Sequence, residues 1–262
     1  MKKNNSTKGA DFFLQQKYPV KLLTLNIWGG HLRQPLMEFI KSYQEIDIFC
    51  LQEVYNSAQY KISYCEKKFS LNIFSELKEL LPKHTAFFTP VVGKEYGIGV
   101  FIKQGIKILE KGAINIYDNP NYPGYGPTHS RNLQWVKCVS DAHIFFILNV
   151  HGLWSNMGKT DTPDRLVQSQ KIKNFMDSLK APKILCGDFN LRPDTRSIKI
   201  IEKKMNNLIR KYDIKSTRTS LYKKEEKFAD YIFTSPDVSV NTFEVLKNEI
   251  SDHSPLFLSF QL

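Results

Sequence analysis

The chain has 262 residues, 42% apolar and 13% aromatic, with a formal net charge of +11, the composition of a soluble globular protein with ample core material. No run reaches the roughly 18 apolar residues of a membrane span, and the polar, basic residues 1–9 lack the apolar stretch of a secretory signal, so a cytoplasmic location without stable membrane insertion is expected. The charge favours polyanionic partners such as nucleic acid or an acidic lipid surface, although abundant lysine beside asparagine and isoleucine makes part of it plain composition.

Residues 1–17 read as a flexible lead segment and 18–262 as a single domain, since no repeat, low-complexity tract or linker divides them. Short β-rich runs predict strands over 20–25, 46–51, 99–102, 133–139, 144–150, 183–186, 231–233 and 256–260, most with at least one buried face. Apolar residues at helical spacing predict helices over 34–43, 71–81, 163–179 and 197–206. The third is clearest, with Leu166, Ile172, Phe175, Met176 and Leu179 broadly on one side. Thr162 stands as its N-cap, Pro163 in its first turn and Asp164 near the positive end of its dipole. Strands and helices mix throughout, which predicts an α/β or α+β fold, and the short gap between 139 and 144 argues against a purely parallel sheet.

The four cysteines, Cys50, Cys65, Cys138 and Cys186, show no zinc or redox spacing and read as reduced, mostly buried thiols. Two loops stand out. Residues 117–129 place Tyr122 and Tyr125 among Pro120, Pro123, Gly124, Gly126 and Pro127, either a groove wall or an ordinary surface loop. Residues 215–227 carry Lys215, Arg218, Lys223, Lys224 and Lys227 just before Asp230, either an approach to a phosphate backbone or a solvated charged loop.

Five blocks share one pattern, an apolar strand running into polar functional groups: Leu22-Leu23-Thr24-Leu25-Asn26, Phe49-Cys50-Leu51-Gln52-Glu53, Leu148-Asn149-Val150-His151, Ile184-Leu185-Cys186-Gly187-Asp188-Phe189-Asn190 and Ile250-Ser251-Asp252-His253. Attack on a phosphate needs a cation to absorb oxygen charge, a carboxylate to handle water and an imidazole to contact the phosphoryl group. Strand ends can present such groups to one cleft. A single block is weak, because a carboxylate closing a strand is often a turn or cap residue.

Taken together and in order, the blocks resemble the endonuclease/exonuclease/phosphatase superfamily, with its DNase I, sphingomyelinase, inositol phosphatase, deadenylase and tyrosyl-DNA phosphodiesterase branches. The resemblance covers 20–260 and is specific for the superfamily, not for a substrate. It implies one catalytic domain over 18–262, built as a four-layer α/β sandwich of two mixed, mostly antiparallel sheets packed face to face with helices outside. It also implies a hydrolase acting on a phosphoester substrate, with a monomer as the expected state.

By the same resemblance Glu53 is the principal ligand of Mg2+ or Mn2+, Asn26 helps order the ion, and Asp252 lies near ion and phosphate. Asp188 orients or deprotonates the attacking water, and Asn190 offers its amide to that water or to a phosphoryl oxygen. His253 contacts the scissile phosphate and Asp230 orients it, while His151 stabilises charge or protonates the leaving oxygen. The exonuclease III branch has no histidine at the place of His151, so that branch fits less well. Arg131, in Ser130-Arg131-Asn132-Leu133, and Arg165 with Gln168 match pieces of the tyrosyl-DNA phosphodiesterase branch, which implies a substrate-phosphate contact for Arg131, with structural salt bridging as the rival role of each arginine. Trp28 and Trp154 flank two of the blocks and read as a base or headgroup contact or as cleft-wall packing. A nucleic-acid phosphodiester ranks first as substrate, a lipid or small-molecule phosphoester second, and a catalytically inactive binding protein is the rival of another class.

Overall fold

Parallel pairing at the centre of each of two sheets decides where the ends of the chain's apolar strands meet. The computed structural model describes residues 18–58 and 69–262; the flexible segment expected over 1–17, and Cys65, lie outside them. The first sheet has the strand order β11-β12-β1-β2-β4-β3, with β1 Val20–Asn26, β2 Ile48–Tyr55, β3 His84–Val92, β4 Tyr96–Lys103, β11 Ser239–Val245 and β12 Leu256–Gln261. The second has the order β5-β6-β7-β8-β10-β9, with β5 Lys107–Tyr117, β6 Arg131–Ser140, β7 His143–His151, β8 Lys183–Asp188, β9 Asn206–Asn207 and β10 Asp230–Thr234. Only β1 with β2 and β7 with β8 pair in parallel; the other neighbours are antiparallel.

A parallel pair needs a crossover, and helices supply both. Helix α1 (Arg33–Ser42) links β1 to β2, and α3 (Pro163–Ser178) links β7 to β8. Helix α2 (Ile73–Leu80) follows β2, and two short helices, α4 (Arg196–Glu202) and α5 (Leu208–Lys211), follow β8. The result is a sandwich of two mixed sheets between helical layers.

Continuous apolar runs in β1 and β2 follow from burial of both sheet faces. Leu22, Ile48 and Cys50 face the core between the sheets, whereas Leu23, Leu25, Phe49 and Leu51 join Leu36, Phe39, Ile40 and Leu77 under α1 and α2. The inter-sheet core also holds a polar tie. Gln52 Nε2 donates to Asn149 Oδ1 at 2.7 Å across the two sheets, and Asn149 Nδ2 donates to Leu51 O and Gly99 O at 3.2 Å each. Both side chains are fully buried. Gln52→Leu is therefore expected to leave Asn149 Oδ1 unpaired and to lower stability by about 1–3 kcal/mol, read from the denaturant midpoint.

Eight predicted strands are present with shifted ends, and the four helices begin where helical spacing placed them, although the fourth stops at Glu202 and Asn206 enters β9 instead. The additional strands β3, β5, β9 and β11 are the four outer strands of the two sheets. Edge strands bury little of either face, as the mostly exposed β5 shows, and so carry no strong apolar alternation. In α3 Thr162 caps the N-terminus by accepting from Arg165 N, and Ile172 and Met176 are buried. Arg165, Gln168, Ser169 and Lys173 fill the rest of the inward face, while Leu166 is only half-buried. Cys50, Cys138 and Cys186 are free and buried. No helix among the described residues is long and apolar enough to cross a membrane.

Candidate active site

Strand register brings the functional blocks to one edge of the sandwich. Asn26 pairs in register with Gln52, next to Glu53, and His151 pairs with Asp188. Antiparallel β10 begins at that edge, with Asp230 opposite Asp188. The segment 250–254 also lies there, because antiparallel β12 starts opposite the end of β1. Ser251 fixes it: its Oγ donates to Asn26 O at 2.7 Å and accepts from His253 N at 3.2 Å.

Two backbone features aim the carboxylates. The ladder between β2 and β4 shifts register between Leu51 and Val54, and Glu53 in that bulge has φ +56°, an uncommon conformation concentrated at functional sites. Gly187 has φ +132°, and a Cβ there would stand 2.1 Å from Val150 O, so only glycine allows β8 to pass β7 on its way to Asp188. Phe189 then anchors the turn, fully buried against Tyr231 and Phe233.

The side chains converge. Asn26 Nδ2 donates to Glu53 Oε1 and to Asp188 Oδ2, both at 3.0 Å, while its Oδ1 accepts from Trp28 N. His151 Nε2 lies 3.8 Å from Glu53 Oε1 and 3.7 Å from Asp188 Oδ2. His253 Nε2 stands 3.6 Å from Asp188 Oδ2 and 3.9 Å from Asp252 Oδ1. Its Nδ1 faces the Asp230 oxygens at 2.8 and 2.9 Å, and Thr217 Oγ1 donates to Asp230 Oδ2 at 3.0 Å. A carboxylate only accepts, so Nδ1 carries a proton. Asn190 N donates to Asp188 Oδ1 at 2.8 Å.

Arg131 is buried at the start of β6, where Nη2 donates to Pro127 O at 2.6 Å while Nε and Nη1 meet no partner among the described residues. Arg165 is structural: its guanidinium donates to the carbonyls of Leu153, Gly158 and Thr160. The loop over 117–129 reaches the site rim through His129, whose ring lies 6.4 Å from that of His151, while Tyr125 stays exposed. Trp28 and Trp154 are half-buried.

Strand-end pattern does not single out two cations that the structure places at the site. Arg218 Nη1 donates to Asp252 Oδ2 at 3.1 Å over the Tyr222 ring, and buried Lys159 Nζ donates to Asn190 Oδ1 at 2.7 Å. Both sit on loops without periodicity. The basic run over 215–227 is the visible signal for Arg218; nothing in the sequence marks Lys159.

Charge is divided unevenly. Burial, and after it the Asp252 and Asp188 charges, raise the Glu53 carboxyl despite the Asn26 hydrogen bond. Burial would also raise Asp188, but His253, Lys159, His151 and Arg218 together hold it well below the usual carboxylate range. Burial opposes a charged His253, and Asp230 overcomes this and raises it. Burial and then Arg131 push His151 far down, so its imidazole is neutral at pH 7.

A half-buried glutamate beside the carboxylates of Asp188 and Asp252 is a donor set of hard oxygens that fits a hard divalent cation. Ligand atoms of Asp188, Asp230 and His253 also lie within 4.8 Å of one another, but Asp230 is spent on His253 and Thr217.

With these carboxylates and two histidines gathered at one sandwich edge, a family model described as Endonuclease/Exonuclease/phosphatase family matches residues 23–253. The chain belongs to this family. Solved structures share the fold. A family member from Bacteroides vulgatus is 20% identical with TM-score 0.71, covering 94% of this chain and 100% of its own. The human nocturnin catalytic domain with bound sulfate is 19% identical with TM-score 0.69, covering 94% of each chain. A mannosyl-6-phosphatase from Bacteroides thetaiotaomicron is 18% identical with TM-score 0.68, covering 92% and 99%. No curated protein matches the chain by sequence.

Proposed function

We propose that this protein is a divalent-metal-dependent phosphoesterase that hydrolyses a phosphodiester by in-line attack of water, with nucleic acid favoured as the substrate. The observation that carries the reading is the approach of His253 Nε2 to Asp188 Oδ2 at 3.6 Å, with the other ring nitrogen held by Asp230. Asp188 is then the acceptor of the water proton, kept ionised by the cations around it. Doubly protonated His253 donates from Nε2 to a phosphoryl oxygen. Neutral His151 offers a hydrogen bond near the leaving oxygen, and Arg131 contributes fixed charge behind it.

Mg2+ or Mn2+, held by Glu53 with Asn26 and Asp252, would supply charge for the phosphoryl and leaving oxygens. The net charge of +11 supports a polyanionic substrate. Lys159, Arg131 and Arg218 gathered around Asp188 also suit a small dianionic phosphomonoester, the second reading. A monomer in the cytoplasm agrees with both.

One panel tests this. Bis-p-nitrophenyl phosphate, p-nitrophenyl phosphate and single-stranded DNA and RNA oligonucleotides are incubated with Mg2+, with Mn2+ and with chelator. Hydrolysis of the diesters that chelator abolishes is expected, with an oligonucleotide KM that rises steeply with salt. Faster cleavage of the monoester establishes the second reading, and turnover unaffected by chelator refutes the metal-dependent mechanism.

A further inference from the structure

The loop between β7 and α3 is built around one side chain that the mechanism above does not use. Arg165 is completely buried at the start of α3, and its Nη1 donates to Gly158 O at 2.7 Å and to Thr160 O at 2.6 Å. These carbonyls flank Lys159, whose own carbonyl accepts from Arg192 N at 2.9 Å. The backbone of Lys159 is therefore gripped on both sides and from below. Its side chain is 6% exposed, an uncommon burial for lysine. Burial lowers the ammonium only to about 8, with Asp188 and Asp230 opposing the shift, so it is charged at neutral pH.

Among the described residues a single acceptor meets that ammonium, Asn190 Oδ1 at 2.7 Å. An ammonium has three donors and no acceptor, so the Asn190 amide must turn its oxygen toward Lys159. Gly152 O, an acceptor, lies 3.2 Å from Nδ2 on the other side. The two neighbours agree on one orientation of an otherwise ambiguous group, and the second N–H of Nδ2 keeps no acceptor among the described residues. Asn190 itself is held in a left-handed backbone conformation, φ +55°, two residues beyond Asp188.

We infer that Lys159 is a positioning residue for phosphoester hydrolysis: its ammonium locks the Asn190 amide so that a free N–H, not the carbonyl oxygen, is offered to the phosphoryl group. This rests on the phosphoesterase reading. Without the ammonium only the longer bond to Gly152 O holds the amide, and rotation that presents a lone pair to an anion, a repulsive contact in place of an attractive one, becomes easier.

The test is a double-mutant cycle on the full chain with bis-p-nitrophenyl phosphate and Mg2+. Lys159→Met is expected to lower kcat about 10- to 100-fold with KM changed by less than about threefold, because a misdirected donor acts chiefly in the transition state. Lys159→Arg, which keeps a donor, recovers most of the loss. In an Asn190→Ala background Lys159→Met should cost less than about twofold more, since the group it acts through is gone. Equal losses from Lys159→Met in both backgrounds, or no recovery by arginine in a folded variant, overturn the inference.

A second readout needs no catalysis. In a 15N spectrum the Asn190 side-chain NH2 pair, assigned by its disappearance in Asn190→Ala, should shift or broaden in Lys159→Met and stay in place in Lys159→Arg. If wild-type protein hydrolyses no probe, the phosphoesterase reading fails while this spectrum still decides the lock. An unmoved Asn190 signal in Lys159→Met refutes it.

Discussion

Asp188→Asn should cut turnover sharply and weaken the fold together. The substitution keeps the shape of the side chain, so no cavity opens, but it removes the proton acceptor and is expected to lower kcat by about 10²–10⁴-fold. It also removes a carboxylate on which the charges of His253, Lys159 and Arg218 converge. One side-chain atom becomes an NH2, so the new group cannot accept both from Asn26 Nδ2 and from the Asn190 backbone as Asp188 does. Breaking one partner of a buried charge cluster costs about 3 kcal/mol, so a lower unfolding midpoint is expected in chelator-treated protein.

The pH dependence follows from the sign of the shift. A carboxylate depressed in the folded state stabilises above the ordinary carboxylate range and loses that contribution as pH falls through its native value. The stability gap between wild type and Asp188→Asn should therefore be full at neutral pH and close only in strong acid. Wild-type activity in the variant, or equal stability at neutral pH, contradicts the role given to Asp188.

Glu53→Gln should lose activity without losing stability. Its carboxylate is the proposed principal holder of the divalent ion, and removing it is expected to lower kcat on the order of 10²–10³-fold, the several kcal/mol that such an ion contributes. In chelator the opposite sign applies to stability. Glu53 is raised by burial and by Asp252 and Asp188, so its ionised form is disfavoured in the fold. A glutamine at this position would keep an acceptor for Asn26 and relieve that repulsion, giving a metal-free variant as stable as wild type or more so.

Lowering the pH through the raised Glu53 value neutralises the native carboxyl, so the advantage of glutamine should shrink there. Adding Mg2+ or Mn2+ at about 100 times Kd should stabilise wild type by about 2.7 kcal/mol and the variant far less. A variant that unfolds early in chelator, or that keeps the full metal-induced stabilisation, removes Glu53 from the metal role. Together, Glu53→Gln and Asp188→Asn separate two neighbouring carboxylates by the direction of their effect on stability.

The site residues named from sequence lie at one edge because each stands at, or within a few residues of, a strand end, and strand endings are written locally. An apolar run with both faces buried leaves a strong signal, and Asn26, Glu53, His151 and Asp188 all close such runs. Helix α3 announced itself through Thr162 and Pro163, yet its inward face carries Arg165 and Gln168 because they satisfy carbonyl and amide groups of the preceding loop, a demand that apolar spacing does not show. The edge strands β3, β5 and β11 stayed hidden because most of their residues are exposed or only partly buried, which leaves a weak apolar pattern.

From its order of residues alone this protein declared a two-faced buried sheet, its family and the chemical types at its centre, since those depend on short-range pattern. Only tertiary structure decided the bridge of Asn26 between Glu53 and Asp188, the opposite electrostatic fates of those two carboxylates, and the place of Lys159 at Asn190. These depend on distances between segments up to 225 residues apart, such as Ser251 on Asn26, and on how much water burial removes from each charge, quantities that exist only once the two sheets have closed.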